Sequence, residues 1–388
     1  MEMNRSVESR GYLSAMLAIG VMGNSVIYVM PLLIGAMVTD RGLTEQQAGL
    51  IASADLLGYT VGTLAVAALI RRMDWRSVCW WGLGLMVAAN IASPMVTGFE
   101  AFAAVRVVSG LGGGLLAALA TVALGCRAEP DRAFGALFAA LLLFATAALW
   151  TLPSIIASLG IGGAYGLIVL LAVPVAYCIS FLPRARDTAV VAAPAGEIRT
   201  DRWLSYIVLL SVFLFFAEQN AVWAYAERLG SAAGLSGQYI GFSLGVGTLL
   251  SAVGAGLVAL LGTRISRGAA IAGATLAQVA AFVMLSRQFG PSMFLTLIAL
   301  LAIAWNIVNP FQLGILSKLD PGGTSLALAP AATGLGLAAG PAIGAAVLAP
   351  GAYGMLLGVC AALAAVSALL LWPPLIALRH TMSASRTG

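Results

Sequence analysis

Residues 101–126 read AFAAVRVVSGLGGGLLAALATVALGC, 26 positions with one charge, Arg106. Roughly 20 apolar residues in a helix cross the ~30 Å hydrocarbon of a bilayer, so this stretch is long enough to span one. Eleven similar stretches surround it, at approximately 12–38, 46–70, 78–97, 133–159, 164–182, 204–227, 239–261, 269–286, 292–317, 325–348 and 352–378. The 388-residue chain is 61% hydrophobic and 9% charged, whereas a soluble domain carries about a quarter charged residues. A soluble enzyme, a nucleic-acid module and a disordered chain are thereby excluded. Twelve transmembrane helices in an all-α integral membrane protein are expected.

The charges give the orientation. Of 20 basic residues only Lys318 is a lysine, and the arginines form short clusters between the apolar runs. With the N-terminus inside, sixteen basic residues fall on the cytoplasmic side, against Arg41, Arg228 and Arg287 outside and Arg106 within a span. Cytoplasmic loops are enriched in Lys and Arg, so both termini are expected in the cytoplasm and the chain in the inner membrane. A phosphate-binding face for nucleic acid is not implied by clusters of this kind. The first stretch is too long for a removable signal peptide. The four cysteines (Cys79, Cys126, Cys178, Cys360) have no metal-ligand spacing, and the single histidine, His380, lies in a polar tail. Neither a metal site nor a histidine-dependent triad is expected.

The longest polar connection, 183–203, separates two similar halves, 1–182 and 204–388. Gly42-Leu43-Thr44, Gln46, Gly49, Gly62 and Arg72 align with Gly234-Leu235-Ser236, Gln238, Gly241, Gly254 and Arg264 at one offset of 192. A six-span repeat keeps both copies in the same orientation, so a pseudo-twofold along the membrane normal should relate them. Two six-helix bundles around a central cavity, joined by a cytoplasmic linker, are the implied architecture.

On these residues the chain resembles the major facilitator superfamily over essentially its whole length. The run from Arg106 through Gly110 and Gly113 to Gly114 is similar to the family's fourth-helix motif, an arginine followed by glycines. Gly336, Gly340, Pro341 and Gly344 are similar to the Gly-x-x-x-Gly-Pro-x-x-Gly motif that drug:proton antiporters carry in span 5. The span 5 counterpart here keeps only Pro153. In the loop between spans 2 and 3, Arg72 and Arg76 match the family's basic positions, while Arg71 replaces its aspartate and Asp74 its loop glycine. The resemblance implies a gate latch at that aspartate. An arginine facing a helix N-terminus repels, so the latch is expected to be absent or rebuilt with Glu129 and Asp131.

Ionisable groups inside spans are costly and face a cavity or one another. Away from span ends three remain: Asp55, Arg106 and Glu218. Helical spacing groups Asp55 with Tyr59 in span 2, Asn24 with Tyr28 in span 1, Glu218 with Tyr225 in span 7, and Trp305, Asn309 and Gln312 in span 10. Gln219 and Trp223 form the adjacent stripe of span 7, and Asn306 lies beside Trp305. The resemblance implies that spans 1, 4, 7 and 10 line the cavity. Asp55 and Arg106 lie at depths that let them meet, as a structural ion pair or a functional one. Glu218, without a basic partner in its half, is either a protonatable coupling site or a neutral acid bonded to Asn220 or a neighbouring helix.

The reading is a secondary transporter for a small organic molecule, driven by the proton gradient and needing no cofactor. Efflux by antiport leads, with Glu218 or Asp55 taking the proton. Proton-coupled uptake of an organic anion held by Arg106, or lipid flipping on the same fold, are the alternatives. No nucleotide-binding glycine-lysine loop is present. Its partners are then substrate, protons and bilayer, and a monomer is expected.

Overall fold

The computed structural model describes residues 10–70, 72–180, 182, 202–261, 266–320, 325–348 and 352–378. Arg71, Arg264, residues 183–201 of the linker and both ends of the chain lie outside them. Two compact units, Met1–Ala192 and Ala193–Gly388, divide the chain. The first contains α1 (Arg10–Arg41), α2 (Glu45–Leu69), α3 (Trp75–Ala92), α4 (Phe99–Gly125) and α5 (Pro130–Ser180). In the second are α6 (Arg202–Ala232), α7 (Gly237–Leu261), α8 (Arg267–Leu285), α9 (Pro291–Leu319), α10 (Ala329–Val347) and α11 (Gly354–Leu370).

Eleven α-helices are thus described where twelve spans are expected from the sequence. The difference is local: the stretches 133–159 and 164–182 fall in one 51-residue element, α5. At about 1.5 Å per residue it is ~76 Å long, more than twice the hydrocarbon thickness. Gly160, at φ 63° and ψ −168°, breaks it, in a conformation open only to glycine. Asp40, at the end of α1, accepts the N–H of Ile161 at 2.7 Å and so caps the second limb. Among the described residues, ten helices are long and apolar enough to cross a membrane. The one that falls short, α3, holds Trp75, Arg76, Trp80, Trp81 and Asn90 within 18 residues.

The repeat read from seven residues extends through the backbone. Helix starts pair at the same offset of 192: Glu45 with Gly237, Trp75 with Arg267, Phe99 with Pro291. Their punctuation pairs too. Gly42 (φ 62°) and Gly234 (φ 79°) end the first helix of each unit in left-handed geometry. Thr44 then accepts the Gln47 N–H at 3.1 Å and Ser236 the Tyr239 N–H at 3.3 Å. Asp74 caps α3 through the Ser77 N–H at 2.9 Å, and Ser266 caps α8 through Ala269 at 3.2 Å. Each side chain satisfies one of the donors that a helix start leaves free.

Within each unit the seams are made by small residues, because helices in lipid approach closely only where side chains are absent. In the first, α4 turns successive glycines to three neighbours. A methyl group on Gly110 or Gly114 would strike the carbonyl oxygens of Asp55 or Tyr59 on α2, one on Gly112 that of Gly82 on α3, and one on Gly113 would lie 2.9 Å from that of Gly23 on α1. Gly62 likewise abuts the Leu111 carbonyl, as Gly254 abuts that of Ile303, both pairs again 192 apart. Outward-facing Leu57, Val61, Trp81, Leu143, Leu170 and Leu276 remain exposed, as apolar residues turned toward lipid should.

Candidate functional site

Arg106, in the third turn of α4, is 0% exposed. Its Nε and Nη2 both donate to Asp55 Oδ2, at 2.9 and 2.5 Å. Nη1 donates to Asn90 Oδ1 at 3.0 Å and Ser93 Oγ at 3.2 Å, both from α3 or its C-cap. The guanidinium carbon lies 4.8 Å from the centroid of the Tyr165 ring, within cation–π range. Asn90 and Ser93 are in turn anchored on the Met86 and Ala89 carbonyls. The pair expected from depth alone therefore forms, within a cage of groups sequence reasoning missed. Asn90 and Ser93 were legible only as polar residues late in a span; nothing local linked them to Arg106.

On α2, one turn past Asp55, the Tyr59 hydroxyl donates to Asn24 Oδ1 at 2.9 Å, and Asn24 Nδ2 donates to the Gly20 carbonyl. Tyr28, the next residue on that face of α1, is half-buried like Asn24 and Tyr59. Gly23, Asp55, Tyr59, Ser109 and Gly110 line a small enclosed cleft between α1, α2 and α4. Of the loop candidates, Arg72 is exposed, Arg76 half-buried, and Asp74 serves as the α3 cap. Glu129 pairs with exposed Arg132 at 3.3 Å. Pro153 is half-buried inside α5.

In the second unit α10 lies along α6. Gly336, Gly340 and Gly344, every fourth residue, face Phe213, Ala217 and Tyr225, and an added methyl on Gly340 would lie 2.7 Å from the Ala217 carbonyl oxygen. Asn220 Nδ2 donates to the Leu337 carbonyl at 2.7 Å and the Tyr225 hydroxyl to that of Pro341 at 3.4 Å. Asn220 is therefore engaged with α10, and a hydrogen bond from it to Glu218 is not formed.

Glu218 is 0% exposed, and neither carboxylate oxygen has a hydrogen-bond partner. Gln219 lies near, but its buried Nε2 makes no hydrogen bond of ordinary geometry. Seven residues before Glu218, Ser211 and Ser367 of α11 exchange hydrogen bonds through Oγ and carbonyl at 2.8 and 2.9 Å. The C-terminal end of α6 and the start of α11 share a surface cleft at Leu229, Ala232, Tyr353 and Gly354, so the two run antiparallel. One heptad on along this antiparallel pair, buried Cys360 falls at the level of Glu218. Gln312 is buried completely, donating from Nε2 to Ser211 Oγ at 3.0 Å, with its own Oε1 unpartnered.

The span 10 stripe is thereby divided. Trp305, Asn306 and Asn309 are half-buried, while Gln312 belongs to the α6–α11 interior. Trp305 meets Phe216 edge-on at 5.8 Å, and Asn306 donates to the Ala302 carbonyl at 3.1 Å. Trp223 is half-buried, whereas Gln219 and Tyr225 are buried. Ser211 and Ser367 went unread because serine is common in spans and their pairing joins residues 156 apart. Among the described residues no cluster of His, Cys, Asp and Glu could hold a metal ion.

A family model described as Major Facilitator Superfamily matches residues 13–329. Among curated protein sequences no significant relative is found. Solved structures resemble the chain along nearly its full length. A D-xylose-proton symporter is 14% identical with a TM-score of 0.75, over 93% of this chain and 97% of that one. A structure described under substrate recognition in proton dependent oligopeptide transporters is 14% identical at a TM-score of 0.71, over 95% and 97%. A bacterial homolog of the human lysosomal transporter Spinster, inward-facing and unoccupied, is 14% identical at 0.65, over 95% of each chain. At that identity the likeness bears on the fold alone.

Proposed function

The chain belongs to the Major Facilitator Superfamily of membrane transporters, and we propose that it exports a small organic molecule by proton antiport, with Glu218 carrying the proton. Gly160 then divides α5 into two crossings, which makes twelve spans, two six-helix domains (1–182 and 204–388) and both termini on the cytoplasmic side of the inner membrane. The chain works as a monomer, and the proton gradient replaces any cofactor.

The observation that carries this reading is the isolation of Glu218, fully buried with both oxygens unpartnered. A buried ionised carboxylate without a partner costs several kcal/mol. A state that admits water or a cation to it removes that cost, so its charge and the conformation are coupled. Exchange of a proton for cargo follows if the two compete for the same state. Arg106 supports the anion-uptake reading less well, since Asp55, Asn90 and Ser93 already occupy its donors. The half-buried Trp223, Trp305 and Asn309 are assigned to cargo, the rings by stacking and the amide by orientation.

The test is Glu218→Gln in proteoliposomes loaded with tetraphenylphosphonium and other lipophilic cations. Export driven by a pH gradient should vanish while counterflow exchange persists. Gradient-driven export at the native rate would remove Glu218 from the coupling.

A further inference from the structure

The offset of 192 that pairs the helix starts puts Gly247 at the place of Asp55, and Ile298 at that of Arg106. These two meet as well: a methyl on Gly247 would lie 2.9 Å from Ile298 Cγ2. The cage changes in the same sense, with Phe282, Leu285 and Leu301 at the places of Asn90, Ser93 and Ser109, all buried. One helix crossing is therefore built twice in this chain, once around an ion pair and once around an isoleucine in a glycine notch. The crossing itself does not require charge.

The two seams differ in what fixes their register. Between α2 and α4 the facing residues are Gly58, Gly62, Gly110 and Gly114, and each abuts a backbone carbonyl of the other helix. The close contacts at these four glycines are mostly with backbone, the side chains beside them being Asp55 Oδ1, 2.8 Å from a Gly110 methyl, and, one residue along, the Tyr59 ring, 3.7 Å from a Gly113 methyl. Between α7 and α9 side chains supply the knobs: Ile298 sits against Gly247, and Asn306, at the place of Gly114, lies with its Cβ 3.1 Å from where a Gly254 methyl would be. In the first unit that task falls to directional bonds, since Arg106 holds Asp55 through two donors and α3 through a third. Replacing a buried ion pair by well-packed apolar residues is often neutral, whereas removing one partner is strongly destabilising.

We infer that Asp55 and Arg106 form a positioning pair, exchangeable as a unit. It pins the register of α2 on α4, and through it the seat of Tyr59 against Asn24. It does not carry the transported proton.

A double-mutant cycle tests this, read as melting temperature of the full chain in detergent from pH 5 to pH 8. Asp55→Gly, Arg106→Ile and the near-isosteric Asp55→Asn should each lower it by about 6–20 °C or abolish folded yield. The double variant D55G/R106I, which copies the second unit at these two positions and leaves Asn90 and Ser93 their bonds to the Met86 and Ala89 carbonyls, should recover most of the loss of either single variant. Its pH profile should run parallel to the native one, because a group that titrates differently on unfolding would take its share of the slope with it. A double variant that loses at least the sum of the single losses, or fails to fold, overturns the inference. So does a flattened pH profile, which would make Asp55 the titrating group.

Discussion

Gly340→Ala should destabilise the second unit through one methyl group. The added carbon would lie 2.7 Å from both the Ala217 carbonyl oxygen and the Ala221 amide nitrogen, and 2.9 Å from the Asn220 carbonyl carbon. All three are backbone atoms of α6, so no rotamer change relieves them. Ordinary contact begins near 3.4 Å, so α10 must retreat by about half an ångström or more. Overpacking of this kind costs roughly 1–3 kcal/mol. The retreat also stretches the 2.7 Å bond from Asn220 Nδ2 to the Leu337 carbonyl, a contact worth about 1 kcal/mol. Alanine returns up to ~1 kcal/mol in helix propensity, which leaves a net loss of ~1–3 kcal/mol. At ~2–4 °C per kcal/mol, the melting temperature should fall by about 2–12 °C. Gly358→Ala on α11 is the internal control: that glycine is exposed and has nothing within 4 Å of the added methyl, so the same substitution should leave stability unchanged or raised. The assay is thermal unfolding of both variants in one detergent, with monodispersity checked by gel filtration. Gly340→Ala melting at or above the Gly358→Ala temperature would refute the claim that this seam depends on bare backbone.

Two further outcomes follow from the same geometry. Gly160→Ala should cost about 1–3 kcal/mol, because only glycine adopts its φ and ψ without strain; a melting temperature equal to the native one would show that the break relaxes freely. In a thermal-shift screen at pH 6 and pH 8, lipophilic cations should stabilise the native chain more at pH 8, where fewer protons compete for Glu218, since a ligand of the folded state raises its melting point with occupancy. Stabilisation by organic acids that is stronger at pH 6 would instead favour proton-coupled uptake.

Much of the architecture was legible because lipid imposes a coarse and regular code. A span must be about 20 apolar residues whatever it packs against, and the arginine asymmetry sets an expected orientation without reference to contacts. The repeat was legible for a related reason: glycines and caps at helix ends are local requirements, and Gly42 with Thr44, like Gly234 with Ser236, act within a few residues of themselves. Even the break at Gly160 is local in cause, but an apolar count cannot see a change of φ at one glycine.

Which groups meet inside a unit is another matter. Helical spacing placed Trp305, Asn309 and Gln312 on one stripe, yet Gln312 is claimed by Ser211 and Ser367, from helices 101 and 55 residues away. Periodicity states which side chains share a face, and says nothing of the neighbour that face meets. The same limit hid Asn90, Ser93 and Tyr165 from Arg106, and Cys360 from Glu218. The sequence by itself therefore determined the solvent, the number of apolar stretches, the orientation expected of them and the doubled plan. Only the tertiary structure decided that Asp55 and Arg106 are joined and that Glu218 stands alone, because a buried charge is satisfied by whichever helix the fold brings beside it.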